Sequence, residues 1–331
     1  MYKPGKSMRE ITYCKAISEG YATAMRKDPS VFVVGEGIAS RGGCFGHTAG
    51  LLDGFGAKRV IDMPISEAGF TGMCTGAAAC GSRAVADIMY NDFSLLAFDQ
   101  IVNQAAKLRY MSAGQYAMPL TIVGVCGTTR SAGPHHSQSL YPLFMHIPGI
   151  LVVVPSTAYD MKGLLASAIL EDDLAVVLPH RGLLNRKGEV PEDDYTVPLG
   201  QARIVREGTG VTIVSWGLLL HQCLAAAEKL AARGIDAEVI DLRTLVPMDE
   251  ETILGSVRKT GRLAVVDEGY TVCGAGAEII ARVQEQAFDY LDAPMVRINP
   301  LNTPVPFSPV LEQAFLPDAE RIVQHLERLF S

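Results

Sequence analysis

The chain has 331 residues, with 36 acidic against 29 basic side chains and a formal net charge of −7. This balance, with no Lys/Arg run anywhere, argues against nucleic acid as a partner, because phosphate binding needs a basic face. With 48% hydrophobic residues the chain can bury a large core of about two domains, and the apolar excess points to buried subunit contacts. No uninterrupted apolar run is long enough to span a bilayer.

The elements alternate from the start. A helical pattern over 10–27 leads into the strand-like "VFVVGEG" (31–37), and "KRVIDM" (58–63) leads into a helix over 67–80. Further strands are expected at 83–90, 119–125, 150–155 and 174–179, with helices at 95–113 and 157–171. Continuous β-branched strands alternating with helices indicate a parallel sheet covered on both faces. Residues 180–209 are polar and Pro/Gly-punctuated, which reads as a connection. A second block then follows, with strands at 210–216, 236–242, 262–269 and 294–300 and a last helix reaching residue 330. The fold class is α/β with two domains: 8–190, a linker at 191–208, and a smaller domain at 209–331.

The seven cysteines, Cys14, Cys44, Cys74, Cys80, Cys126, Cys223 and Cys273, are odd in number, and no CxxC occurs. They read as reduced core residues of a cytoplasmic protein. The N-terminal stretch shows neither a signal-peptide nor a transit-peptide pattern.

Functional groups of such sheets gather at the carboxyl ends of strands, and three segments there carry chemistry. In "MPISEAGF" (63–70), Glu67 admits two readings. It is either a first-turn acid behind a capping Ser66, favoured by the helix dipole, or a buried acid with a chemical task. The Gly/Ala/Thr/Cys/Met helix that follows looks packed on all sides. Burial penalises the charged form of a carboxyl group, which can then exchange a proton with a ring nitrogen. In "YNDFS" (90–94), Phe93 is either a core residue or a stacking face for an aromatic ring. In "RSAGPHHSQS" (130–139), His135 and His136 are either general acid/base groups or solvated histidines before a helix capped by Ser137. No GxSxG, GxGxxG or GxxxxGK[ST] is present, which removes the nucleophile elbow and the common phosphate loops.

Together, "DMPISEAGFTGMCTGAA", "FSLLAFDQIVNQAAKLRYMSAGQ", "HHSQS", "HIPGILVVVPSTAYDMKGLL" and "VIDLRTLVPMD" occur in this order. In them the chain resembles, over nearly its whole length, the β subunit of the thiamine-diphosphate-dependent E1 component of 2-oxo acid dehydrogenases. That group includes pyruvate, branched-chain and acetoin dehydrogenases. The resemblance implies a pyrimidine-binding domain followed by a transketolase-type C-terminal domain. It also implies cleavage of a 2-oxo acid or acetoin, with acyl transfer to a lipoyl acyltransferase.

The implied roles fall on named residues. Glu67 matches the glutamate that hydrogen-bonds N1′ of the cofactor's aminopyrimidine and so activates the cofactor. Phe93 matches the ring that stacks on that pyrimidine. His136 matches the active-site histidine, with His135 beside it. Glu36 matches an acidic position near the interface, counted among the cofactor-binding groups, with a plain strand-end carboxylate as the alternative. The carbonyls of Ala168, Glu171 and Asp173 match a structural monovalent-cation site, such as one for K⁺. This chain has no GDG motif for Mg²⁺ and diphosphate, so the resemblance implies an α subunit that holds them in an α₂β₂ heterotetramer. The C-terminal domain is implied to contact the acyltransferase. Where relatives carry Gln-His-Ser-Gln, this chain has His135-His136-Ser137-Gln138, and Arg130 adds a cation suited to an anionic substrate. The same fold and glutamate also serve a split transketolase, whose C-terminal half is the alternative reading. A non-catalytic scaffold is the reading from a different class.

Overall fold

The computed structural model describes residues 7–128 and 131–330. The chain forms two units. The first takes the chain up to Cys126 and then Leu143–Leu199; the second takes Gly127–Pro142 and everything from Gly200 onward.

In the first unit, six strands lie in the order Val60–Asp62, Phe32–Gly35, Ala84–Tyr90, Leu120–Val125, Leu174–Val177, Ile150–Val153. All neighbours are parallel. The strands Leu120–Val125 and Leu174–Val177 are buried at every residue, as expected for a sheet covered on both faces. Helices Tyr13–Lys27 and Ala158–Leu170 pack against each other. Gly20 permits their close approach, since a Cβ there would lie 3.0 Å from Leu165 Cβ and 3.1 Å from the Lys162 carbonyl. Each helix starts at a threonine, Thr12 or Thr157, whose hydroxyl accepts an orphan backbone N–H.

A two-stranded antiparallel pair, Met8–Thr12 with Lys187–Pro191, adds to this unit. The chain beyond it is fastened rather than loose. Lys162, its side chain 1% exposed, donates to the carbonyls of Pro191 and Asp193, both at 2.9 Å, and lies 3.1 Å from Glu19. Tyr195 stacks on Tyr159 with ring centroids 4.7 Å apart. Asp194 takes hydrogen bonds from Arg26 and Thr23, and the Arg26 guanidinium holds its carboxyl down at about 2. The first part of the expected linker is therefore built into the first unit.

The second unit holds a sheet ordered Val296–Ile298, Leu263–Val266, Val211–Ser215, Ala237–Asp241, Arg203–Arg206. Only the edge strand Arg203–Arg206 is antiparallel, and it too lies inside the expected linker. Ile213, Leu220, Cys223, Val239, Val266, Ile322 and Leu326 share its core.

Four further expectations change. The helix over 95–113 is three pieces: a 3₁₀ turn Asn91–Leu95, a π-helix Gln100–Ala105 and an α-helix Ala106–Met111. The last helix is two, Pro309–Phe315 and Ala319–Glu327; Pro317 stops the first, and Asp318 caps the second through Arg321 N–H. The helix Glu67–Ala79 is not packed on all sides, because Gly69, Met73 and Gly76 are exposed. Of the cysteines only Cys74, Cys126 and Cys223 are buried, while Cys44, Cys80 and Cys273 are exposed. Short apolar runs carry no record of which side of an element meets solvent. Among the described residues, no helix is long and apolar enough to cross a membrane.

Candidate functional site

The parallel strands of the first unit all end at one edge, and Glu36, Glu67 and Phe93 follow three of them there. Glu67 is the first residue of helix Glu67–Ala79, which follows strand Val60–Asp62. It is only 6% exposed. Ser66 occupies the capping position but makes no side-chain capping bond, so half of the capping reading is absent. What remains is a buried carboxylate at a helix N-terminus, where the dipole favours negative charge. Among the described residues, none donates a hydrogen bond to it.

Glu36 directly follows strand Phe32–Gly35. Burial first, and then the Glu67 carboxylate, push its pKa above the ordinary value. The two acids are therefore electrostatic neighbours. Asp62 fixes the loop after Glu36 by accepting Ala39 N–H at 2.7 Å and Ser40 N–H at 3.1 Å.

Phe93 sits in the 3₁₀ turn after strand Ala84–Tyr90 and is half-buried, so it is not an ordinary core phenylalanine. Its ring meets Tyr90 edge-on, with centroids 5.6 Å apart. In the same turn Asn91 and Ser94 are both fully buried. Neither the Asn91 amide nor the Ser94 hydroxyl has a hydrogen-bonding partner among the described residues. Buried polar groups are nearly always satisfied, so these idle ones beside a half-buried ring stand out in the turn.

Beneath this edge lies a network that the sequence did not reveal. Asp87 accepts from Tyr21 Oη at 2.9 Å and from Met89 N–H at 3.2 Å, and it lies 2.6 Å from His47 Nε2. All three side chains are buried, and burial, then Asp87, drives the Tyr21 pKa far up. Met89 adopts a left-handed φ of +64°, and the sheet register shifts between Asp87 and Tyr90. The network thus sets the bend that delivers Tyr90 and Phe93.

The two histidines belong to the second unit. His135 is exposed and His136 half-buried. No helix starts at Ser137; its hydroxyl is buried without a partner among the described residues, and the next helix is Tyr141–Met145. The capping alternative therefore falls. Three acids hold this loop. Glu268 accepts from Thr128 N–H at 2.6 Å and from its hydroxyl at 3.2 Å. Glu312 accepts from Ser131 N–H at 2.8 Å. Asp267 bonds Tyr141 Oη, which also accepts Gly269 N–H at 2.8 Å. Burial pushes Asp267 up to about 6, against the hydrogen bonds from Tyr141 and Gly269 that pull it down. Gly133 is at φ +75°, and a Cβ there would run into the Phe307 ring.

Arg130 lies outside the described residues. At the proposed cation position, the Ala168 carbonyl accepts from Thr121 Oγ1 at 3.2 Å, and the Glu171 carbonyl accepts from Arg83 Nη1 at 2.6 Å. The carboxylate of Asp173 pairs with Arg109. Two of the three carbonyls thus already have donors from the chain, one of them a cation. Among the described residues, no three His, Cys, Asp or Glu side chains are arranged to hold a metal.

The family description "Transketolase, pyrimidine binding domain" matches residues 9–187, and "Transketolase, C-terminal domain" matches residues 200–322. The chain is 46% identical over 327 residues to the acetoin:2,6-dichlorophenolindophenol oxidoreductase subunit beta of Bacillus subtilis, covering 95% of this chain and 96% of that one. It is 44% identical over 320 residues to the pyruvate dehydrogenase E1 component subunit beta of Rhizobium meliloti, covering 96% of this chain and 70% of that one. The chain belongs to the dehydrogenase E1 β-subunit family. That family is thiamine-diphosphate-dependent, and its members are components of multi-subunit enzymes. A solved structure described as "Split gene transketolase, inactive beta4 tetramer" superposes with a TM-score of 0.79 at 21% identity, covering 96% of this chain and 98% of that one. At that identity the likeness is one of fold alone.

Proposed function

We infer that this chain is the β half of an E1 enzyme that cleaves a 2-oxo acid, or acetoin, and hands the acyl group to a lipoyl acyltransferase. The observation that carries this reading is Glu67, a buried carboxylate with no described donor, on the same sheet edge as the half-buried ring of Phe93. Both fit an aminopyrimidine, which offers a ring nitrogen to the acid and a flat face to the ring.

When bound, thiamine diphosphate supplies a nucleophilic carbon and an electron sink for C–C cleavage. Glu67 holds a proton at the pyrimidine nitrogen, and its burial strengthens that bond over one made in water. Phe93 fixes the ring plane. Glu36, its charge disfavoured beside Glu67, shares the acidic edge. His136 moves a proton to or from the substrate, a task suited to an imidazole near neutral pH.

The diphosphate and Mg²⁺ are left to an α-type partner, because this chain has no GDG and, among its described residues, no three His, Cys, Asp or Glu side chains arranged to hold a metal. The assembly is an α₂β₂ heterotetramer, with the acyltransferase at the C-terminal domain. The test is titration calorimetry with thiamine diphosphate and Mg²⁺. The isolated chain should bind little, and the chain co-expressed with its α-type partner should bind tightly and cleave pyruvate, a branched 2-oxo acid or acetoin. Tight binding by the isolated chain would overturn the shared-site reading.

A further inference from the structure

Arg181 has no part in the roles above. It opens the turn Arg181–Leu183 after strand Leu174–Val177, on the edge that carries Glu36, Glu67 and Phe93. Its place is fixed from both sides. Its backbone N–H donates to the Cys126 carbonyl at 2.9 Å, and His180 Nδ1 closes the turn by accepting Gly182 N–H at 3.0 Å. The guanidinium carbon stands 5.3 Å from the centre of the Tyr90 ring. Tyr90 in turn meets Phe93 edge-on. The cation is thus one ring away from the face assigned to the pyrimidine.

Its hydrogen bonding is unusual for this protein. Arg26 grips Asp194, Arg83 grips Asp28 and Asp172, and Arg109 grips Asp173. Arg181 Nε and Nη1, by contrast, are buried and donate to no acceptor among the described residues. Burying such donors idle is costly, and more so on a charged group. Stacking on Tyr90 offsets part of that cost and holds the guanidinium ready, since its planar group loses little freedom when an anion arrives. Hydrogen bonds from a guanidinium to a carboxylate are about twice as strong as neutral ones.

We propose that Arg181 binds the carboxylate of a 2-oxo acid substrate. The proposal rests on the E1 β reading and deepens it. A half-buried cation with idle donors, one ring from the face assigned to the pyrimidine, suits an anionic 2-oxo acid, and forms no ion pair with a neutral acyloin such as acetoin. It also gives the anion a partner whose place in the structure is known.

The experiment uses the assembled enzyme with its α-type partner and two variants, Arg181→Met and Arg181→Lys. Elution volume and melting temperature confirm assembly. Arg181→Met should raise KM for a short 2-oxo acid at least about tenfold while kcat falls less. Arg181→Lys should recover part of the loss, and KM for acetoin should stay within about twofold. A second readout needs no turnover: calorimetric binding of the monomethyl ester of acetylphosphonate, an anionic mimic of a 2-oxo acid, should weaken in the Met variant by a similar factor. Three results overturn the proposal: an unchanged KM and phosphonate affinity, an equal KM rise for 2-oxo acid and acetoin, or a loss of thiamine diphosphate affinity in place of substrate affinity. The last would assign the anion to the cofactor. If the wild-type complex binds the phosphonate through Arg181 yet cleaves neither a 2-oxo acid nor acetoin, the site stands and the E1 reading fails. If it cleaves 2-oxo acids with no dependence on Arg181, the E1 reading stands and the site fails.

Discussion

At the scale of single residues, Glu67 and Glu36 show how neighbours assign a task. Each alone is a strand-end or helix-start acid. Side by side, burial and then the Glu67 carboxylate disfavour the charge on Glu36. Glu67→Gln keeps the shape of the side chain and removes its proton chemistry. We expect it to lower the rate of the assembled enzyme by roughly 10²–10⁴, the range typical of a lost acid/base group, with the melting temperature of the chain not reduced. A variant that melts early would make Glu67 a structural acid after all. Glu67 was legible in the sequence because nothing polar surrounds it. Arg181 and Asn91 were not. An idle donor is a fact about what three or four distant segments leave unfilled, and no local pattern records it. The same is true of the Tyr21–Asp87–His47 network, whose members come from a helix, a strand and a loop.

At the scale of elements, the loop that carries His135 and His136 is held by acids more than a hundred positions away in sequence. Asp267 gives this a pH signature. Its folded pKa, about 6, lies above the ordinary 3.8, so between those values the folded state binds more protons than the unfolded one. Stability from this group is therefore fully present below the ordinary value and is lost as pH rises through about 6. Asp267→Asn keeps an oxygen for Tyr141 and Gly269, and should flatten that decline in urea-unfolding curves taken from pH 4 to 7. An unaltered slope would place the titration elsewhere. The strands of both sheets were legible because continuous β-branched runs have few other uses. Met8–Thr12, Lys187–Pro191 and Arg203–Arg206 were not. They are short and charged, Lys187–Pro191 also carries Gly188 and Pro191, and two of them become strands only by pairing with each other across most of the first unit.

At the scale of the whole molecule, the most consequential side chain outside the site is Lys162. It is buried at 1% exposure and serves two carbonyls and Glu19. Lys162→Met conserves the stem but leaves the two carbonyls without this donor and Glu19 with Arg9 as its remaining cation. Breaking a buried pair from one side costs about 3–5 kcal/mol, so chemical denaturation should show a loss of that size, with residues 191–195 becoming accessible to protease. A loss under about 1 kcal/mol, the worth of a surface pair, would show that the tether is dispensable. The division of the chain bears on what can be inherited separately. The backbone passes from one unit to the other after Cys126, returns at Leu143 and leaves again after Leu199. A gene cut at the obvious seam, before Gly200, would yield a first product carrying residues 127–142 without Asp267, Glu268 and Glu312 to hold them. The histidine loop would then be exported without its scaffold. The two units are separate bodies but not exchangeable cassettes, and a chimera that swaps one must carry the loop across with the other.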